Sequence, residues 1–221
     1  MKIAYKLTDS EMRTYNGFQW ELGKWYETTG EEGDLCSPTW LHFYSSPLVG
    51  LFLNPIHADI KNPRLFRAEV KGKFLDDNGL KCGYSRARLI EELPVPQISP
   101  VQRVRFAIFC VKKVYKEKEW NKWANNWLSG KDRTEESAAI AESAAIAAES
   151  AIIVAFATKS VAKITASAAE SAAKSAFYAA KSAKIGFYAA KSAESVAESA
   201  FHAAKSKKID LIRIARKAMK E

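Results

Sequence analysis

Three pairs of side chains in the first ninety residues have the type and spacing to hold an anion. Arg86 and Arg88 stand two apart, as do Arg67 and Glu69, and His42 and Tyr44. Residues i and i+2 of an extended strand share a face, so each pair projects to one side of its strand. If the three strands are neighbours, Arg67, Arg86, Arg88, His42 and Tyr44 line one ligand-binding pocket. Arginine suits phosphate because its donors form a rigid planar fork. The plain alternative is the solvated outer face of a sheet, with Arg67 and Glu69 a simple exposed pair.

Other chemistries are thinly represented. No P-loop, G-x-G-x-x-G or G-x-S-x-G pattern occurs, and Gly30–Gly33 reads as an acidic turn. Cys36, His42, His57 and Cys82 match no zinc-ligand spacing. No catalytic residue, metal or cofactor is therefore expected, and a non-enzymatic protein is favoured. Three well-separated cysteines, Cys36, Cys82 and Cys110, suggest thiols in a reducing compartment. The first residues lack the apolar core of a signal peptide, and no apolar run reaches membrane-spanning length. A cytoplasmic protein without a membrane span is expected.

The 221 residues carry a formal net charge of +9 that is unevenly placed. Residues 1–99 sum to −1, residues 100–135 to +5 and residues 136–221 to +5. A basic half favours anionic partners. Trp120, Trp123 and Trp127 lie among Lys112, Lys113, Lys116, Lys118 and Lys122. That interleaving could stack bases and hold phosphates; an apolar stripe at this spacing is more often the buried side of an ordinary helix.

The elements that must position these residues change character near residue 100. All seven prolines and eight of the ten glycines fall at or before Pro100, so turn punctuation stops there. Alternation predicts strands at Lys2–Leu7, Gly17–Leu22, Trp40–Tyr44, Leu65–Val70 and Tyr84–Leu93. A short helix is expected behind Pro47, over Ser46–Leu53, and a turn at Asp76–Gly79. Trp20, Trp25, Trp40, Phe43, Phe52 and Phe66 are the expected aromatic core. After the stiff Pro94–Ile98 connector, Ser99, Pro100 and Gln102 spell a helix start with a capping box. Gly130 ends the tryptophan-bearing helix, and Asp132 or Thr134 can cap the next.

Residues 136–206 hold 27 alanines and 12 serines in 71 positions, with no proline, and predict helix throughout. Phe177–Ser182 recurs at Phe187–Ser192 and again at Phe201–Ser206 with one substitution, a sign of repeat expansion. Gly186 marks a kink or hairpin turn. Alanine faces bury little area, so this region should pack on another helix, on its own return segment or on a second subunit. Residues 207–221 form a basic amphipathic end, either a membrane-surface helix or a terminal helix docking by Ile209, Ile212 and Met219. The fold class expected is α+β: a β-rich domain at 1–98, a connecting amphipathic helix at 99–130, and an all-α, Ala-rich coiled-coil or helical-hairpin region at 131–221.

Several short runs extend beyond these readings. Gly17–Lys24, His42-Phe43, Phe66–Val70 and Ser85–Ile90, with Trp123–Arg133 and the alanine repeat, resemble a family of uncharacterised phage and bacterial proteins that join a small N-terminal β-rich domain to an Ala-rich helical repeat. The resemblance implies a phage-type accessory protein in the host bacterial cytoplasm. Such a protein would oligomerise through its alanine-rich helices and bind a host or phage protein, with anti-defence activity as one role. Three alternatives stand beside it. The first is a binder or sponge of a small anionic nucleotide. The second is an ADP-ribosyltransferase-like enzyme using His42, Tyr44 and Glu69, which rests on fold analogy alone. The third, ranked lowest, is nucleic-acid binding through the basic half.

Overall fold

A computed structural model of the chain describes residues 1–31, 35–143, 161–182 and 186–220. It has two compact units, Met1–Gln97 and Ile98–Glu221. The architecture is α+β, with an N-terminal antiparallel sheet followed by helices.

The first unit holds strands β1 (Lys2–Thr8), β2 (Tyr26–Glu27), β3 (Leu41–Phe43), β4 (Arg64–Asp76) and β5 (Cys82–Leu93), with helix α1 (Pro47–His57) between β3 and β4. The order is β1-β4-β5-β2, and β3 also pairs with β5. Tyr5 and Tyr44 exchange two backbone hydrogen bonds of 2.8 Å, which brings the end of β3 back to β1. The sheet therefore curls around an aromatic core that includes Ala4, Trp20, Phe43, Phe66, Tyr84 and Leu89. Two register shifts between β4 and β5 help the curl, since a bulge bends and twists its strand. One lies at Gly72, whose φ of +77 suits glycine and whose Cβ would strike the Ser85 hydroxyl. The β4–β5 turn falls at Asp76–Gly79 as expected, with Gly79 N–H on the Asp76 carboxylate at 3.1 Å.

Two expectations for this unit need correction. Gly17–Leu22 is not a strand. Asn16 and Gly17 have positive φ in a short 3-10 turn, and the segment serves to plant the Trp20 ring in the core, with its indole N–H on Thr14 Oγ1 at 3.2 Å. Trp25 is only half-buried, unlike the other five aromatics expected in the core. The acidic turn expected at Gly30–Gly33 lies partly outside the described residues.

The second unit is a helical bundle. Helix α2 (Pro100–Val114) starts at the expected capping box: the Ser99 hydroxyl accepts from Gln102 N–H at 3.2 Å, and the Gln102 side chain accepts from Ser99 N–H at 2.9 Å. It buries Val104, Phe106, Ile108 and Val111. The single helix expected over 99–130 is two, because Tyr115 leaves helical backbone and Glu117 starts a new turn: helix α3 (Lys118–Leu128) is capped by the Glu117 carboxylate and buries Trp120, Trp123 and Trp127. Gly130 follows at φ +76. The Thr134 hydroxyl accepts from Ser137 N–H at 3.2 Å and opens a helical segment over 135–143. Helices α4 (Val161–Ser182) and α5 (Gly186–Ser206) follow, then α6 (Leu211–Ala218). Helix is thus present across the described parts of the alanine-rich region; residues 144–160 and 183–185 lie outside the described residues, and Gly186, the expected kink or hairpin position, is the first residue of α5.

Helices α4 and α5 run antiparallel. Ser192 Oγ donates to Ser175 O at 3.0 Å, and Ser199 Oγ to Ala168 O at 3.1 Å. These serines are buried with Ala168, Ala172, Ala197 and Ala200. Small side chains let the helices approach closely, and each buried hydroxyl finds a carbonyl, which avoids the cost of an unpaired polar group. The segment 135–143 lies along α4 through Lys174–Glu142 at 3.8 Å and Lys181–Glu135 at 3.6 Å. Much of the described alanine surface is therefore buried within the chain, while Ala139, Ala179, Ala180 and Ala193 are half-buried. The terminal helix docks: Ile209, just before it, is buried as expected, together with Leu211, Ile214, Ala215 and Ala218, whereas Ile212 and Met219 are only half-buried.

Candidate anion-binding face

The outward side of the curled sheet is built by strand alternation. Phe66, Ala68 and Val70 of β4 point into the core, so Arg67, Glu69 and Lys71 point out. On β5, Ala87 and Leu89 point in and Arg86 and Arg88 point out. The register sets Glu69 opposite Arg88 and Lys71 opposite Arg86, with Glu27 of β2 opposite Arg86 on its other side.

Trp25, just before the two-residue strand β2, is the centre of this face. Its ring has Arg86 Cζ at 4.6 Å, Lys71 Nζ at 4.7 Å and Arg88 Cζ at 4.9 Å. Three cations thus surround one half-exposed indole, each within cation–π range. Two carboxylates organise them. Glu69 is buried and takes Lys71 Nζ at 2.9 Å on one oxygen and Arg88 Nη2 at 2.7 Å on the other. Arg88 Nε also donates to Glu69, at 2.9 Å. The hydrogen bond from Lys71, then that from Arg88, holds the Glu69 carboxyl below the usual carboxylate range. Arg86 meets Glu27 at 2.8 Å, but both of those side chains are about half exposed.

Of the five residues expected to form one pocket, Arg86 and Arg88 are brought together. Arg67 shares their face but pairs with Glu91 at 2.7 Å and is not among the cations around Trp25. His42 and Tyr44 have other partners. The His42 Nε2 meets the Leu35 carbonyl. Tyr44 Oη meets His57 Nδ1 at 3.1 Å, their rings stack at 5.7 Å, and burial pushes the phenol upward in pKa. Gly50 of α1 lies against that phenol ring; a Cβ there would come within 2.8 Å of it. Lys71, Glu27 and Trp25 were missed. Lys71 extends the Arg67–Glu69 alternation by one step and was open to the same reasoning. Trp25 gave no such signal, because only the pairing of β2 with β5 sets its place.

Lys6 is a cation of another kind. It is buried on the core side, donates to His42 O at 2.8 Å, and lies 5.3 Å from both the Trp20 and Phe43 rings. Burial lowers its pKa to about 8.

In the second unit, Trp120 and Trp127 are almost fully buried and Trp123 is 8 % exposed. Trp120 Nε1 donates to Ala169 O of α4 at 3.2 Å. The tryptophan stripe is core, as the more usual reading of its spacing has it, and the three indoles offer no base-stacking surface.

Residues 2–100 match the family model described as Domain of unknown function (DUF7666), so the N-terminal region carries an uncharacterised domain. That match does not extend to the second half, where the resemblance was also expected. No curated protein and no solved structure matches the chain. Among the described residues no helix is long and apolar enough to cross a membrane.

Proposed function

We propose that the protein is a non-enzymatic accessory binding protein whose N-terminal domain takes a small planar anion, of nucleotide type, on the outer face of its sheet. The observation that carries this reading is the set of three cations within 5 Å of the half-exposed Trp25 ring. An indole face offers a platform for a planar ring, and a guanidinium offers paired donors to phosphate. Buried Glu69 sets Lys71 and Arg88 in place before any ligand arrives. Arg86 is the hand that moves: exposed ion pairs contribute only about 0–1 kcal/mol, so a phosphate can displace Glu27.

The engagement of His42, Tyr44 and Glu69 in structural pairs favours a binding role over the transferase alternative. The phage-type context follows from the sequence resemblance. In that context, withdrawing a small nucleotide is one way for an accessory protein to counter a host defence. Self-association through the alanine-rich helices would draw on the alanines that the chain leaves half-buried, such as Ala179, Ala180 and Ala193.

Calorimetric titration of the full chain with AMP, adenosine and inorganic phosphate tests the reading. AMP should bind at least tenfold more tightly than either fragment. Arg86→Ala should weaken AMP by roughly 10- to 100-fold, the usual effect of losing a hydrogen bond to a charged group. Equal binding of AMP and phosphate, or undiminished AMP binding by Arg86→Ala, would overturn it.

A further inference from the structure

The C-terminal unit carries a second concentration of positive charge with a different construction. Helix α2 holds four basic residues and no acidic one, and α6 holds three and no acidic one. Arg105, Phe109 and Lys112 follow one another at i, i+4 and i+7 on a single side of α2, and Lys116 continues the line just past its end, with Nζ on Lys112 O at 2.7 Å. Helix α6 lies alongside. Arg105 donates to Ala218 O at 3.3 Å and Lys220 O at 2.8 Å, and Lys217 Nζ sits 4.1 Å over the Phe109 ring.

The result is a ridge on which Lys112, Lys116 and Lys217 crowd one another. Lys113, Lys116, Arg213, Arg216 and Lys217 are exposed. None of these, nor Lys112, forms an ion pair with a carboxylate among the described residues. The neighbouring acids are engaged elsewhere: Glu117 caps α3 and Asp210 caps α6. Burial, then repulsion from Lys217 and Lys116, lowers the Lys112 pKa. A row of like charges without counter-charges raises the free energy of the isolated protein, and a polyanion laid along it relieves that cost.

We infer that the α2–α6 ridge binds the phosphate backbone of double-stranded nucleic acid without reading its sequence. Three observations choose this occupant. Leu211, Ile214, Ala215 and Ala218 of α6 are buried in the bundle, which leaves only the half-buried Ile212 and Met219 to meet a lipid surface. The three indoles are core, so the stacking that holds single strands is not offered. The line from Arg105 to Lys116 covers roughly 15 Å, the rise of about four base pairs, with a charge row to match. This site is separate from the nucleotide-type face and does not depend on it.

The test is fluorescence anisotropy of a labelled 30-base-pair duplex with the full chain at 50 and 200 mM NaCl. Four to six phosphate contacts should weaken binding by roughly 100- to 1000-fold between those salts. The triple variant Lys113→Glu, Lys116→Glu, Arg216→Glu should lower affinity at 50 mM salt by about 100-fold or more. Circular dichroism checks that it folds, and the milder Lys113→Gln, Arg216→Gln variant should lower the log–log salt slope by about 2. Arg86→Ala should leave duplex binding unchanged. No binding at 50 mM salt, a salt-insensitive complex, or charge reversal without effect would overturn the inference. So would equal binding to polyglutamate or to phosphatidylserine vesicles, which would move the ridge to an acidic protein or a membrane surface.

Discussion

The two units use the same ingredients, basic side chains and tryptophan, in opposite ways. On the N-terminal sheet the indole of Trp25 lies at the surface under three cations, and each of those cations has a carboxylate partner in Glu69 or Glu27. In the C-terminal unit the indoles of Trp120, Trp123 and Trp127 are core, and the cations of the α2–α6 ridge have no carboxylate partner among the described residues. On the reading proposed above, the matched cluster is stable alone and would exchange one partner for a small anion. An unmatched ridge calls for an extended counter-charge. Counting Lys, Arg and Trp along the chain cannot separate these cases; what the neighbouring strands and helices place beside each one can.

The largest expected effect separates the tryptophans. Trp120→Ala should cost the C-terminal unit about 3–5 kcal/mol, the usual range for emptying a core aromatic site, whereas Trp25→Ala should cost about 1 kcal/mol. Denaturant unfolding followed by circular dichroism measures both, and equal losses would erase the contrast.

Lys6 shows what burial costs a cation that has no carboxylate partner among the described residues. Its pKa is lowered to about 8 from 10.5, so between those pH values the unfolded chain holds more protons than the folded one. The Lys6 contribution to the stability of the N-terminal unit should therefore rise from pH 8 to about 10.5, by on the order of 2–3 kcal/mol, read as the difference between parent and variant because the buried Cys82 thiol, raised to about 12, acts in the opposite direction above about pH 9. Lys6→Met should remove that rise; an unchanged pH profile in the variant would show that Lys6 is not its source.

Arg86→Ala should leave the unfolding midpoint near that of the parent while weakening AMP. Arg88→Ala should also lower the midpoint, because it takes one of two cations from buried Glu69. Identical midpoints would mean that Glu69 does not organise the face. The smallest effect is one of sign. Raising NaCl from 50 to 500 mM screens attraction on the sheet and repulsion on the ridge, so thermal unfolding should show slight destabilisation of the first unit and slight stabilisation of the second. A common sign for both would break the comparison.

Local chemistry was the readable part. Ser99, Pro100 and Gln102 announce α2 because a capping box is closed by residues three apart. Strand alternation placed Arg86 and Arg88 on one face because a strand's period is two. What escaped depends on distant partners. Trp25 is fixed by β2 meeting β5, and Tyr44 is claimed by His57 from the end of α1. Gly17–Leu22 reads as a strand by composition, yet the positive φ at Asn16 and Gly17 and the burial of Trp20 make it a plug. The serines of α4 and α5 gave no sign of being interior, since only the antiparallel pairing supplies Ser192 and Ser199 with carbonyls.

The most direct test of the central claim, that the matched face on the sheet holds a small planar anion, is native mass spectrometry of the full chain with and without added AMP. One AMP retained per subunit, and lost in Arg86→Ala, is the result expected. Absence of any adduct at millimolar AMP, or an adduct that persists in Arg86→Ala, would contradict it.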